Sequence, residues 1–317
     1  MTQLDPAAAS AAITPGTPFI DDRGRVAQLH GVGIQRIDDR WWAWGEDKTA
    51  GSTFTAVAVY SSADLAAWRF EGNAIEAGTG DLARDRIIER PKALRRPDGR
   101  WVLYLHIDSG DYADARVGYA IADSAAGPYE YLGSERPLSN LSRDIGVYAE
   151  GDVAYLLSED RTNGLHIYRL NAEWTGAESI VATLSQQARP EFGYESPALV
   201  KHDGLYYLFG SDLTGWSMND NKYATAADLR GPWSGWQEFA PPGSRTFESQ
   251  VSAVVALDGD RFLYIGDRWL PDDLANSAAV WLPLRLSAGS AVLEWTESWR
   301  PLESRFNPGD DATDGCD

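Results

Sequence analysis

One pattern recurs five times along the 317-residue chain: a turn carrying Asp or Gly, then a short aromatic and aliphatic run. The copies read Asp38-Asp39-Arg40-Trp41-Trp42-Ala43-Trp44, Asp98-Gly99-Arg100-Trp101-Val102-Leu103-Tyr104, Gly151-Asp152-Val153-Ala154-Tyr155-Leu156, Asp203-Gly204-Leu205-Tyr206-Tyr207-Leu208 and Gly259-Asp260-Arg261-Phe262-Leu263-Tyr264. Each predicts a hairpin turn entering a strand. A third strand follows in every copy, at 55–60, 116–122, 165–170, 222–226 and 278–286. Several copies add an aromatic fourth, as at Trp68-Arg69-Phe70 and Tyr129-Glu130-Tyr131.

Four short antiparallel strands per repeat, with a period in the fifties, predict an all-β, five-bladed propeller. A β-sandwich also has many short strands, but the even spacing and the lack of a Pro-, Gly- and Ser-rich linker argue against two halves. The expected organisation is an N-terminal segment, 1–27, closing onto a single propeller, 28–306, followed by an acidic flexible tail, 307–317.

A polar residue stands at the start of each repeat's first strand: His30, Glu89, Asp144, Glu195 and Gln250, at intervals of 59, 55, 51 and 55 residues. The first strand of a blade is innermost, so these five equivalent positions converge beside the central channel. Taken singly, a Glu at a strand start is more often a solvated edge residue or ion-pair partner than a catalytic one. Three carboxylates in one pocket repel one another and lose solvent, which raises the pKa of at least one and keeps a general acid protonated near neutral pH. Loops joining second to third strands open on the same face and carry Asp108, Tyr112, Asp160, Arg161, Thr214, Trp216 and Trp269. Carboxylates ringed by Trp and Tyr suit a sugar, whose apolar face stacks on aromatics while its hydroxyls meet acids and amides. Trp41, Trp68, Trp101 and Trp233 fall on strands and read as blade core, whereas Trp216 lies on a Gly-flanked loop. His30 suits a structural bond to a backbone carbonyl as well as a substrate contact.

The charge of −19 disfavours nucleic acid and anionic membranes as partners. A single cysteine, Cys316, and four scattered histidines give no disulfide or zinc motif. No cofactor is required on this reading. A structural Ca²⁺ in the acidic channel is conceivable, although no dedicated Ca²⁺ loop is present. Residues 1–20 hold no Lys or Arg and no long apolar core, so a cytoplasmic location is expected for the sequence as it stands, and a secreted one if a leader preceded it. A monomer is expected.

The segments His30-Gly31-Val32-Gly33-Ile34, Ile88-Glu89-Arg90-Pro91-Lys92, Ser142-Arg143-Asp144, Ser158-Glu159-Asp160, Thr214-Gly215-Trp216, Phe247-Glu248-Ser249-Gln250 and Gly266-Asp267-Arg268-Trp269 resemble the family-43 glycoside hydrolases, and within them the exo-β-1,3-galactanase branch. The resemblance runs over about residues 28–300 and falls on five blades in order. A typical member carries His-Asp-Pro on the first blade, with that Asp as general base; here Gly31 stands in its place, as in the galactanase branch. The resemblance implies inverting hydrolysis of terminal β-1,3-linked galactose from galactan or galacto-oligosaccharides. Glu195 would be the general acid, and Gln250 would hold the attacking water through its amide or imidic tautomer. Glu89 would bind sugar hydroxyls or act as an alternative base, and Asp144 would tune the acid. Tyr112, Asp160, Thr214, Trp216 and His30 would shape the sugar pocket. Two other readings stay open: a furanosidase of the same mechanism, acting on arabinofuranose or galactofuranose, and a non-catalytic sugar-binding propeller.

Overall fold

The computed structural model describes residues 11–188 and 193–302. Five four-stranded antiparallel sheets, each of consecutive strands, make five blades. In chain order they are β1 (His30–Ile37) to β4 (Arg69–Glu76), with β2 at Arg40–Glu46 and β3 at Ala56–Ser62; then β5 (Ile87–Arg95), β6 (Trp101–Asp108), β7 (Arg116–Ala122) and β8 (Glu130–Glu135). Blade three comprises β9 (Ile145–Glu150), β10 (Val153–Asp160), β11 (Gly164–Leu170) and β12 (Ala177–Ser185); blade four β13 (Glu195–His202), β14 (Leu205–Ser211), β15 (Lys222–Ala226) and β16 (Gln237–Glu238); blade five β17 (Gln250–Asp258), β18 (Arg261–Arg268), β19 (Ala278–Ser287) and β20 (Ser290–Leu293). The five-bladed propeller expected from the repeat is the fold.

The repeat works because its turns and runs have separate tasks. Asp38, Gly99, Gly151, Gly204 and Gly259 all take positive φ at the inner hairpins, where the backbone must reverse within the twist of the strands. The apolar runs on the second and third strands are buried on both faces, and every gap between adjacent blades holds its own apolar cluster. Between blades one and two, Trp44, Val57 and Val59 meet Leu103, Leu105 and Ile107. The ring closes where Leu263, Ile265 and Trp281 of blade five pack against Ile34, Trp41 and Tyr60 of blade one. Residues of the N-terminal segment cover this junction: Ile13 bridges to Trp299, Thr17 to Ala279 and Asp21 to Trp68.

All five blades have a fourth strand, including those where its sequence signal is weak. That strand lies at the rim with one face in water, so β12 and β8 are mostly exposed or half-buried and carry charged residues rather than an apolar run. The first strands of neighbouring blades touch one another around the channel, which fixes them as the inner ring. Cys316 and the tail at 307–317 lie outside the described residues, as does the beginning of the N-terminal segment.

Candidate active site

The entrances of blades one, two and four share one backbone device. Just after the presented residue, Gly31, Arg90 and Ser196 adopt φ of +54°, +52° and +54°, and the register with the second strand slips at the same place in each. Each of the three amides freed by the bulge is captured by a carboxylate of the preceding blade. Gly31 N–H donates to Asp267 Oδ2 at 3.1 Å, Arg90 N–H to Glu46 Oε1 at 2.8 Å and Ser196 N–H to Asp144 Oδ2 at 2.9 Å. On blade five, Val251 N–H takes the Asn221 amide oxygen at 2.7 Å. The bulges therefore both aim side chains into the channel and tie each entrance to its neighbour.

Position 31 has no room for a side chain: a Cβ there would stand 1.8 Å from Glu46 Oε1. The carboxylate of Glu46 occupies the space that the usual first-blade aspartate would need. Lys48 Nζ sits 2.7 Å from Glu46 Oε2. Burial alone would raise the Glu46 pKa, but Lys48 and Arg90 together hold it below the ordinary carboxylate range.

Glu46, Glu89, Arg90, His106, Tyr112, Asp144, Arg161, Glu195, Gly215, Trp216, Gln250 and Trp269 enclose a cavity of about 200 Å³ at this end of the channel. Glu195 is buried in its wall, accepting from Arg161 Nη2 at 3.0 Å and from Gln250 Nε2 at 3.2 Å. Burial, reinforced by the charges of Asp144 and Glu159, pushes its pKa up to about 8 despite Arg161 and Arg90. On that shift the Glu195 carboxyl carries a proton at neutral pH.

Gln250 is fully engaged. Its Oε1 accepts from Arg90 Nη2 at 2.7 Å and from Trp269 Nε1 at 3.0 Å, while Nε2 donates to Glu195 and to Ser211 Oγ at 2.9 Å. Both Oε1 partners can only donate, which fixes the amide orientation. A single left-handed helical turn, Arg245–Glu248, delivers this residue. All four residues have φ between 51° and 58°, and Asp220 takes the Arg245 N–H at 2.7 Å while Arg268 Nη2 takes the Phe247 carbonyl at 2.7 Å.

Glu89 accepts from Tyr112 Oη at 3.3 Å and faces Lys48 Nζ at 3.5 Å, with His106 Nδ1 at 3.6 Å. Asp144 is held by Arg90 Nε at 2.9 Å. Trp216 is 39% exposed, packs edge-on against Trp269 with centroids 5.3 Å apart, and offers a free face to the cavity mouth.

Of the residues singled out in the sequence, Glu89, Tyr112, Asp144, Arg161, Glu195, Trp216, Gln250 and Trp269 share this wall, Asp108 lies behind it on His106, and His30, Asp160 and Thr214 stand behind or beside it. His30 is buried against Trp269, with centroids 5.9 Å apart, and burial drives its pKa down to about 4. Asp160 turns into its own loop to accept from Thr162 N–H and from Asn163. Thr214, on the rim, bonds the Ser217 carbonyl and Asn219.

Sequence reasoning passed over Glu46, Arg90 and His106. A signal existed: the second-strand residues facing the five presented ones are Glu46, His106, Glu159, Ser211 and Asp267, a second polar ring at the same repeat interval. Among the described residues, Glu89, His106 and Asp144 bring polar atoms within 4.8 Å of one another, as do the solvent-facing group His202, Asp203 and Asp260. In the cavity that negative charge is already balanced from within the chain, by Lys48 on Glu89 and Arg90 on Asp144.

No curated protein sequence matches the chain. Among solved structures, one from Bifidobacterium bifidum S17, assigned provisionally as an exo-β-1,3-galactanase, is 43% identical, with 89% of this chain and 97% of that one covered and a TM-score of 0.84. An exo-β-1,3-galactanase from Phanerochaete chrysosporium, solved with β-1,3-galactotriose, is 34% identical over 91% of this chain and 68% of its own, with a TM-score of 0.86. The exo-β-1,3-galactanase 1,3Gal43A from Clostridium thermocellum is 30% identical over 90% of this chain and 66% of its own, with a TM-score of 0.84. The model for glycosyl hydrolases family 43 matches residues 34–254, which span blades one to four and enter blade five. With its propeller, its ring of carboxylates and that match, the chain belongs to glycosyl hydrolases family 43.

Proposed function

We propose that the protein is an inverting exo-glycosidase that releases terminal β-1,3-linked galactose from galactan or galacto-oligosaccharides. The observation that carries the reading is the buried, protonated Glu195 in the wall of a cavity sized for a single sugar ring. The likeness to exo-β-1,3-galactanases supports the choice of sugar. Trp216 gives the ring an apolar face to stack on, and Glu89, Asp144 and Tyr112 meet its hydroxyls.

In the step itself, the bond between the anomeric carbon and the glycosidic oxygen breaks as Glu195 gives that oxygen its proton. Water attacks the opposite face of the anomeric carbon, so the released sugar is the α anomer. Gln250 positions this water, yielding for it the longest of its four hydrogen bonds, the 3.2 Å contact with Glu195, and on this first assignment takes the proton the water loses on the nitrogen of its imidic tautomer. One observation favours a second assignment of the base. Because every polar position of Gln250 is filled by the protein, Glu89 is the group with an oxygen to spare for a water proton.

The test is to incubate the protein with β-1,3-galactobiose, β-linked galacto-oligosaccharides and aryl furanosides, following the first product by NMR. Galactose appearing first as the α anomer is expected. Turnover confined to furanosides would move the assignment to a furanosidase, and binding by calorimetry without any product would make the protein a sugar-binding propeller. Azide then separates the two bases. It needs no deprotonation, so it restores turnover in Glu89→Gln if Glu89 is the base, and in Gln250→Ala if Gln250 is.

A further inference from the structure

The step above makes no use of one buried imidazole that two of the cavity's carboxylates face. His106, 1% exposed, lies on β6 opposite Glu89 in register. Its Nε2 is 3.1 Å from Asp108 Oδ2, and the other oxygen of Asp108 accepts the backbone N–H groups of Ser109, Asp114 and Ala115 at 2.9, 2.8 and 3.0 Å. A carboxylate so held is an acceptor only, so the ring carries a hydrogen on Nε2. The position that titrates is therefore Nδ1. That atom has no hydrogen-bond partner and lies 3.6 Å from Glu89 Oε2 and 3.8 Å from Asp144 Oδ1. A lone pair there would point at two negative groups; a proton there attracts both.

We infer that His106 is a positioning residue whose Nδ1 carries a second ring proton set between Glu89 and Asp144, orienting the two side chains so that their oxygens accept hydroxyl hydrogens from a bound sugar. All the charges around it bear on this. Glu89, Asp144, Asp108 and Glu159 favour the imidazolium, Lys48 on Glu89 and Arg90 on Asp144 oppose it, and the Tyr112 ring lies alongside at 6.1 Å. Burial by itself would neutralise the ring, yet the Asp108 bond and the facing carboxylates raise its pKa above the ordinary value. His30 is the internal contrast: equally buried, without such a cluster, it is driven to the neutral side.

The role assigned to His106 rests on reading the cavity as a sugar site, but its test does not. The full chain, labelled with ¹⁵N-histidine, is titrated by NMR. The His106 signal is assigned by elimination from His30→Gln, His166→Gln and His202→Gln. We expect both ring nitrogens protonated at pH 7, hydrogen retained on Nε2 at high pH, and a midpoint that falls by about one pH unit or more in Glu89→Gln. A ring already neutral at pH 6, a neutral form with its hydrogen on Nδ1, or a midpoint unmoved in Glu89→Gln would overturn the inference. In His106→Asn, checked for folding by circular dichroism, KM for β-1,3-galactobiose should rise far more than kcat falls; an unchanged KM in a folded variant would sink the role in sugar binding. A charged His106 in a protein that turns over no galactoside would instead count against the proposed substrate alone.

Discussion

Glu89 and Glu195 occupy the same place in two repeats and sit in opposite surroundings. Both precede a left-handed residue and a proline, and both sit at a register slip of the inner strand. What differs is the neighbourhood. Across from Glu89 stands His106, with two donors, Lys48 and Tyr112, alongside. Across from Glu195 stands Ser211, and Asp144 and Glu159 press negative charge against a buried carboxyl. The repeat sets where a carboxylate points, and the burial and charges gathered around it set what that carboxylate can do.

The hardest test of this contrast is Glu195→Gln, which should lower kcat on β-1,3-galactobiose by about 10²–10⁴-fold, the range for a positioned general acid. An aryl galactoside with a good leaving group should recover most of that loss, whereas Glu89→Gln should show no such recovery. Equal rescue of both variants would erase the distinction. A smaller effect belongs to pH: kcat/KM should fall above about pH 8 as Glu195 loses its proton. Arg161→Gln removes a cation that lowers the Glu195 pKa, so this limb should move to higher pH; an unmoved limb would show that Arg161 is not coupled to Glu195. The same carboxyl links stability to pH. Its folded-state pKa is raised, so its contribution is fully present below about 4.5 and is lost as pH climbs through about 8. Ser211→Ala, the mildest of these changes, strips one partner from the Gln250 amide and should cost about 1–3 kcal/mol in chemical denaturation.

The propeller was legible because the inner hairpins repeat both a turn that needs positive φ and a run buried on two faces. The outer strands were partly hidden, since a half-wet edge such as β12 has no apolar signature. Within the site, the presented residues could be read from their spacing, and the bulges that aim them could not. Nothing in Glu-Arg-Pro or Glu-Ser-Pro announces a left-handed backbone at Arg90 or Ser196, because that conformation is held by Glu46 and Asp144 from the neighbouring blades. Arg90 itself reads as an ordinary exposed cation until the ring closes and places it between Asp144 and Gln250. Such roles are properties of the assembled ring, carried by contacts 44–160 residues apart in sequence.

The left-handed turn at Arg245–Glu248 has a thermal consequence. Four consecutive non-glycine residues in that conformation cost roughly 1–2 kcal/mol each, and no sheet supports them. Asp220 and Arg268 offset part of the strain and Phe247 leans on the blade-four and blade-five core, and we expect these few contacts to open before the blade cores do. On heating, the segment that delivers Gln250 should relax while the propeller is still intact. If Gln250 serves the proposed reaction, activity should fade several degrees before the scaffold melts and return on cooling, and the working temperature would follow one short turn rather than the stability of the blades.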